Sequence, residues 1–278
     1  ARRQRQMCIR DRASIGWCGY PLDKRIFPWN HANCGDLNLS GERRPQSYLR
    51  ETLWSDAPVS HIVVTPPVPS FPLNPDKADW SVWDFPDVVD HWNFPGYEGK
   101  KMTVSVYSNC EQVELFLNGE SLGKQENTAD KKNTLVWEVP YAHGILKAVS
   151  YNKGGEVGTA TLESAGKVEK IRLSADRTEI VADGNDLSYI TLELVDSKGI
   201  RNQLAEELVE FSIEGDATIE GVGNANPMSI ESFVANSRKT WRGSNLLVVR
   251  SGKSSGRIIV TAKVKALPVA SITITQKK

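Results

Sequence analysis

No stretch of this sequence approaches the roughly 18 consecutive apolar residues that would span a bilayer. The chain does not open on a signal-peptide pattern either. Net charge is also missing: 34 Lys and Arg balance 34 Asp and Glu, which leaves no electrostatic footprint for nucleic acid or an anionic membrane surface. Cysteine is scarce. Cys8, Cys18, Cys34 and Cys110 form no CxxC pair and stand beside no ladder of histidines, so metal ligation has little support. Free, part-buried thiols are the plain reading, with a Cys18–Cys34 disulfide the alternative that spacing leaves open. Long helical periods are lacking as well, which argues against a helical bundle. What remains is ordinary for a globular protein, 40% hydrophobic and 24% charged residues over 278 positions, enough for about two domains.

The first twelve residues, ARRQRQMCIRDR, hold five arginines and one acid with no apolar period and no helix cap. Physically they read as a basic arm. The string QRQMCIRDR also resembles a translated sequencing adapter, so residues 1–12 are set aside as non-native. The absence of a leader then says nothing about export, and the natural chain is expected to extend upstream of Ala13.

Residues 13–58 carry one local signal. Cys34-Gly35-Asp36-Leu37-Asn38-Leu39 reads as a short strand and Ser40–Arg44 as a polar loop. Pro45 then suits the first position of a helix, where its missing N–H costs nothing. That helix is expected over Pro45–Trp54, with Leu49 and Leu53 on one face and Tyr48 beside them. A lone strand–loop–helix unit cannot bury its own apolar face and must belong to something larger.

From residue 59 to 101 five prolines (Pro66, Pro67, Pro69, Pro72 and Pro75) disfavour helix and central strand alike. A dense aromatic run follows them, with Trp80, Trp83, Phe85, Trp92, Phe94 and Tyr97. Beyond it the period is 2: Met102, Val104 and Val106 alternate with polar residues, as do Val113, Leu115 and Leu117. Asn118-Gly119 comes next, the strongest short hairpin signal, because a type I′ turn needs positive φ at both centres. Strands are expected at 134–139, 145–151 and 156–162, with a turn at Asn152–Gly155. The pattern restarts after Ala165-Gly166-Lys167, with strands at 171–174, 178–181, 188–195, near Val209–Ile213, and at 246–249, 257–264 and 271–275. Short strands at this spacing argue for two immunoglobulin-like β-sandwich domains in tandem, 59–165 and 166–278, in a mainly β chain.

Longer stretches carry a family resemblance. FPWNHANCGDLNLSGERRPQSYLRETLW (27–54) resembles the last βα unit of the catalytic (β/α)8 barrel in glycoside hydrolase family 2, in its β-galactosidase-like branch from Bacteroides-type bacteria. HWNFPGYEGK (91–100), VELFLNGESLGK (113–124) and WEVPYAHGILKAVSYNKG (137–154) are similar to the family's next, immunoglobulin-like module. DRTEIVADGNDLSYITLELVDSKG (176–199) and GVGNANP (221–227) resemble its final domain, itself related to the sandwich repeats of invasin-type adhesins.

The resemblance implies that residues 13–58 end a truncated barrel, and that the family performs retaining hydrolysis with two glutamates about 5 Å apart. Both glutamates lie on earlier barrel strands. Asp23, Asp36, Glu42, Glu51 and Asp56 are the acids of the remnant, and none stands in a comparable motif. The chain alone is thus expected to have no catalytic residue, no metal site and no cofactor, with a monovalent or divalent cation belonging to the parent enzyme. Trp29 and His31, in the loop entering the last strand, and Asp36 on it are the candidate substrate-proximal residues. The position matching Asp36 lies near the sugar and a monovalent cation in related galactosidases, which carry asparagine there. Packing under the barrel rim is the competing reading for Trp29 and His31.

The aromatic run is expected to serve as the interface between barrel and first sandwich rather than as a sugar platform. Trp241 is read as a lone loop or edge aromatic, and His61 and His143 as isolated structural residues. The partner implied is an oligosaccharide or polysaccharide, with a homo-oligomer interface on the sandwiches as a further candidate and a periplasmic or extracellular parent. A tandem-sandwich adhesion or carbohydrate-binding module is the alternative, and the segment Phe27–Trp54 argues against it, since an adhesin has no use for a βα unit.

Overall fold

Asn118-Gly119 and Lys153-Gly154 set two tight turns, each with both residues at positive φ (51° and 88°, 51° and 77°). That is the type I′ geometry whose twist matches the flanking strands. In the computed structural model, which describes residues 28, 35–71 and 86–278, these turns join β3 (Gln112–Leu117) to β4 (Glu120–Glu126), and β6 (Ile145–Asn152) to β7 (Gly155–Glu163). The described residues divide into two units between Ser164 and Ala165.

The first unit stacks two antiparallel sheets. One has the order β1-β2-β5, where β1 is Ser60–Val64, β2 Lys101–Ser108 and β5 Thr134–Pro140; the other has the order β4-β3-β6-β7. The period-2 alternation turns Val104, Val106, Val113, Leu115, Leu135 and Leu146 to a shared interior, all fully buried. Each such side chain stabilises the fold by about 1.5–3 kcal/mol relative to exposure.

Trp92 and Phe94 belong to this same interior, in edge-on contact with each other at 6.0 Å and with Tyr141 at 5.0 and 5.7 Å. The Trp92 indole N–H donates to the Ala142 carbonyl at 2.8 Å. This corrects the expectation of a docking interface. With their single polar group satisfied, these rings gain more inside the sandwich than on its rim. Trp80, Trp83 and Phe85 lie outside the described residues.

The second unit is also a two-sheet sandwich. Its strands are β8 (Lys170–Ala175), β9 (Glu179–Val181), β10 (Leu187–Val195), β11 (Leu208–Glu214), β12 (Ala217–Gly223), β13 (Ser237–Lys239), β14 (Ser244–Ser251), β15 (Gly256–Val264) and β16 (Ala270–Lys277). They form sheets of order β12-β14-β10-β8 and β13-β11-β15-β16-β9, antiparallel except for the β16–β9 pair. Ile190, Leu192, Leu194, Leu247, Val249, Ile258, Val260 and Ile274 fill its core. Arg238, on the edge strand β13, is also fully buried. The chain is mainly β, as its sequence pattern implies.

Candidate functional site

The segment 35–64 holds the one described residue of the candidate set, Asp36, and it departs from the expected strand. Leu37 makes only an isolated bridge to Arg43. The chain reverses within four residues, the Gly41 N–H reaching the Asn38 carbonyl at 3.0 Å and the Asn38 N–H the Glu42 carbonyl at 2.8 Å. Asn38 causes this: its side-chain oxygen accepts from the backbone N–H of Ser40 and Glu42 at 2.9 and 3.0 Å. Asn side chains compete with a ladder in this way. Trp29 and His31 lie outside the described residues, as do Cys8, Cys18 and Cys34; Cys110 is free and buried.

Pro45 opens a 3-10 turn, Pro45–Ser47, that runs into the helix α1 (Tyr48–Trp54). The proline is where the sequence places it, but the buried face differs from expectation. Tyr48 and Leu49 pack on Val63, Val88 and Tyr107, Thr52 is buried, and Leu53 is 61% exposed. Thr52 rather than Leu53 takes the inward position, where its hydroxyl is satisfied. That hydroxyl donates to the Leu49 carbonyl at 2.7 Å and accepts from the Asn133 amide at 3.1 Å.

One electrostatic pair and one cluster result. Asp36 is held by Arg50, whose guanidinium nitrogen lies 3.2 Å from both carboxylate oxygens. The cluster is one that sequence reading missed. The His61 ring, on β1, stacks on Tyr48 at 4.0 Å and 9°, and the Arg43 guanidinium lies over the Tyr48 ring at 4.6 Å. Glu51 Oε2 meets Arg43 at 2.6 Å and His61 Nε2 at 3.0 Å.

Burial pushes the Glu51 carboxyl up, but Arg43 and His61 outweigh it and hold the group below the ordinary carboxylate range. Burial pushes the His61 imidazole below its ordinary value, against the pull of Glu51. The Tyr48 phenol is raised, by burial first and by Asp90 next. The only clue in the sequence was that Tyr48 and Glu51 share a helix face three residues apart. His61 is therefore partnered rather than isolated.

Glu51 and His61 also line a cleft of about 260 Å³ together with Ser60, Cys110 and Ser150. The Ser60 hydroxyl bonds to Ser108 and Ser150. Glu42 accepts from the Asn38 amide at 3.1 Å. Both glutamates of this segment thus serve as clamps. Among the described residues no three His, Cys, Asp or Glu groups are placed to hold a metal ion, and no helix is long and apolar enough to cross a membrane. Trp241 is half-buried, bridged to Ser244 with Arg242 over its ring at 4.7 Å.

Residues 171–273 match the model of the glycoside hydrolase family 2 C-terminal domain 5, and 99–158 a domain of unknown function, DUF4982. The beta-galactosidase BoGH2A of Bacteroides ovatus is 30% identical over 253 residues, covering 91% of this chain and 26% of that relative. A solved family 2 glycosyl hydrolase from Bacteroides cellulosilyticus is 96% identical over 88% of this chain and 32% of its own, with a TM-score of 0.84. A beta-glycosidase structure from Bacteroides vulgatus, 25% identical, superposes with a TM-score of 0.75 over 90% of this chain and 29% of its own. The chain spans about a quarter to a third of the length of these relatives. It belongs to glycoside hydrolase family 2 and corresponds to the C-terminal part of such an enzyme.

Proposed function

We propose that this chain is the C-terminal accessory region of a β-galactosidase-like retaining hydrolase whose catalytic glutamates lie in a part of the parent protein outside it. The observation that carries this reading is the 91% coverage of this chain by BoGH2A against 26% coverage of that relative. The geometry of residues 35–64 supports it. Glu42 accepts from the Asn38 amide and Glu51 holds Arg43 and His61, contacts that fit structural roles for both.

In this reading residues 13–58 close a (β/α)8 barrel. Asp36, fixed by Arg50, sits at its active-site end, and the two sandwiches brace it. In this reading a monovalent or divalent cation belongs to the parent enzyme. The parent acts on an oligosaccharide or polysaccharide, is exported, and uses its sandwiches for self-association.

The test is to express the reading frame extended upstream and follow hydrolysis of nitrophenyl β-galactoside by NMR. The expected product is the β-anomer, formed first. An extended frame without a glutamate pair, or one inert on β-galactosides, would overturn the reading.

A further inference from the structure

We propose that the cleft lined by helix α1 and strands β1, β6 and β7 binds one neutral, hydroxyl-rich ring, a single sugar or a small cyclic polyol. The proposal goes beyond the hydrolase reading, because the ligand class follows from the groups that line the cleft. Its volume is about 260 Å³, below the roughly 300–1,000 Å³ that takes drug-sized molecules, so it suits one ring and not a chain.

The polar groups of the cleft fall into two sets. Ser60 and Ser150 are bonded to each other, and Ser60 also meets Ser108 and the Val59 carbonyl, so these hydroxyls close a wall. The second set has capacity left over. Glu51 uses only Oε2, which takes Arg43 at 2.6 Å and His61 Nε2 at 3.0 Å. Among the described residues nothing hydrogen-bonds to Glu51 Oε1, to His61 Nδ1 or to the Thr159 hydroxyl. Pro58, Val59 and Gly158 add apolar lining. A few open polar groups on apolar walls is the composition of a small-molecule site. Two of those groups are fixed in advance, His61 by stacking on Tyr48 at 4.0 Å and Glu51 by its two partners. Little ordering is left for a ligand to impose.

The lining selects by hydrogen bonding and by charge. With Nε2–H donating to Glu51, Nδ1 carries the lone pair and accepts. Glu51 Oε1 accepts as well, and the Thr159 hydroxyl can do both. The ligand must therefore donate at least twice, which ethers, ketones and carboxylates cannot do and neighbouring hydroxyls can. An ammonium ion also donates. However, Arg43 already matches the charge of Glu51 on the same carboxylate, so the cleft offers a cation no net attraction. An anion would face Oε1 itself. A neutral polyol meets neither obstacle, and its C–H faces suit Pro58 and Val59.

The experiment is an NMR titration of the isotope-labelled full chain near neutral pH, with D-galactose, myo-inositol and methylammonium chloride as separate probes. The resonances of His61 and Thr159 should move and saturate with at least one of the two polyols, at a Kd on the order of 1–10 mM, and stay in place with methylammonium. Thr159→Val keeps the branched shape and removes the hydroxyl. It should weaken that polyol by about fivefold, the worth of one net hydrogen bond. Should Thr159→Val fail to fold, Gly158→Ala takes its place. Its added methyl meets no atom within 4 Å, so it enters without strain and narrows the cleft, with a similar weakening expected. Three results would each overturn the proposal: no saturable movement with either polyol, equal or tighter saturation by methylammonium, or unchanged polyol affinity in the variant. None of them bears on the hydrolase reading, under which this chain is inert on β-galactosides whether or not the cleft binds.

Discussion

Removing the buried arginine of the second sandwich should be a costly change for that unit, and its size can be worked from the contacts. Arg238 is fully buried on an edge strand. Its guanidinium donates to the carbonyls of Val222 and Glu231 at 3.1 and 3.2 Å and to the Ser229 hydroxyl at 2.9 Å, and it lies 4.2 Å over the Phe233 ring. Three bonds at about 1 kcal/mol net each give about 3 kcal/mol. The cation–π contact adds about 0.5–1 kcal/mol, and lost packing of the stem about 1 kcal/mol more. Against this stands the relief of a charge whose Nε makes no hydrogen bond and meets the acid Glu231 only at 4.0 Å. Burial already pushes the arginine down from its usual range. Arg238→Ala should then cost about 3–5 kcal/mol, while Arg238→Met, which keeps the stem and sheds the charge, should cost about 1–2 kcal/mol. Native-state hydrogen exchange of β11 and β15 in urea reads both values separately from the first unit. An Arg238→Ala cost below about 1 kcal/mol, or equal costs for the two variants, would refute the reasoning.

Other changes have equally definite outcomes. Asn118→Ala loses a left-handed turn residue, and with it the side-chain bonds to Ile145 N–H and the His143 carbonyl at 2.8 and 3.2 Å. It should lower stability by about 1–2 kcal/mol in urea unfolding. Gly154 and Gly243 form a contrasting pair, since both have positive φ, 77° and 69°. A Cβ at Gly154 meets nothing, whereas one at Gly243 would overlap the Asn202 carbonyl. Gly154→Ala should cost about 1 kcal/mol and Gly243→Ala at least twice that by thermal melting; equal costs would show that the carbonyl yields freely. Trp92→Phe leaves the Ala142 carbonyl without its indole donor and opens a void between Phe94 and Tyr141. A loss of about 2–4 kcal/mol is expected in the first unit by urea unfolding, and a loss under 1 kcal/mol would place the ring outside the core.

Much of the sandwich framework could be read from alternation and turn chemistry, because both are local properties. Val104, Val106, Val113 and Leu115 mark their faces without reference to anything distant, and Asn118-Gly119 marks its turn. Of the strands the alternation does not reveal, β1, β4, β12 and β13, three lack those marks plainly. β4, ESLGKQE, is an edge strand with no buried residue and therefore no alternation. β1 lies beside a proline run that argues against strand, yet it ends at Val64, before the first of those prolines. β13 has only three residues, and its inward side chain is an arginine, which no hydrophobic pattern would select.

The candidate site was legible in part. Pro45 announced the helix, but which face it buries depended on Val63, Val88 and Tyr107, which come from elsewhere in the chain. The Asp36–Arg50 pair spans fourteen residues and the His61–Glu51 contact joins a strand to a helix. Pairings of that kind come from tertiary placement and leave no local trace.

The account's central claim is that the hydrolytic groups are not in this chain, and it is tested most directly by assaying the chain as it stands. Purified protein should give no turnover of nitrophenyl β-galactoside above buffer, at any pH from 4 to 8 on the order of the carboxylate and imidazole ranges. Turnover that survives purification and disappears in Glu42→Gln or Glu51→Gln would contradict the claim and place the chemistry within residues 35–64.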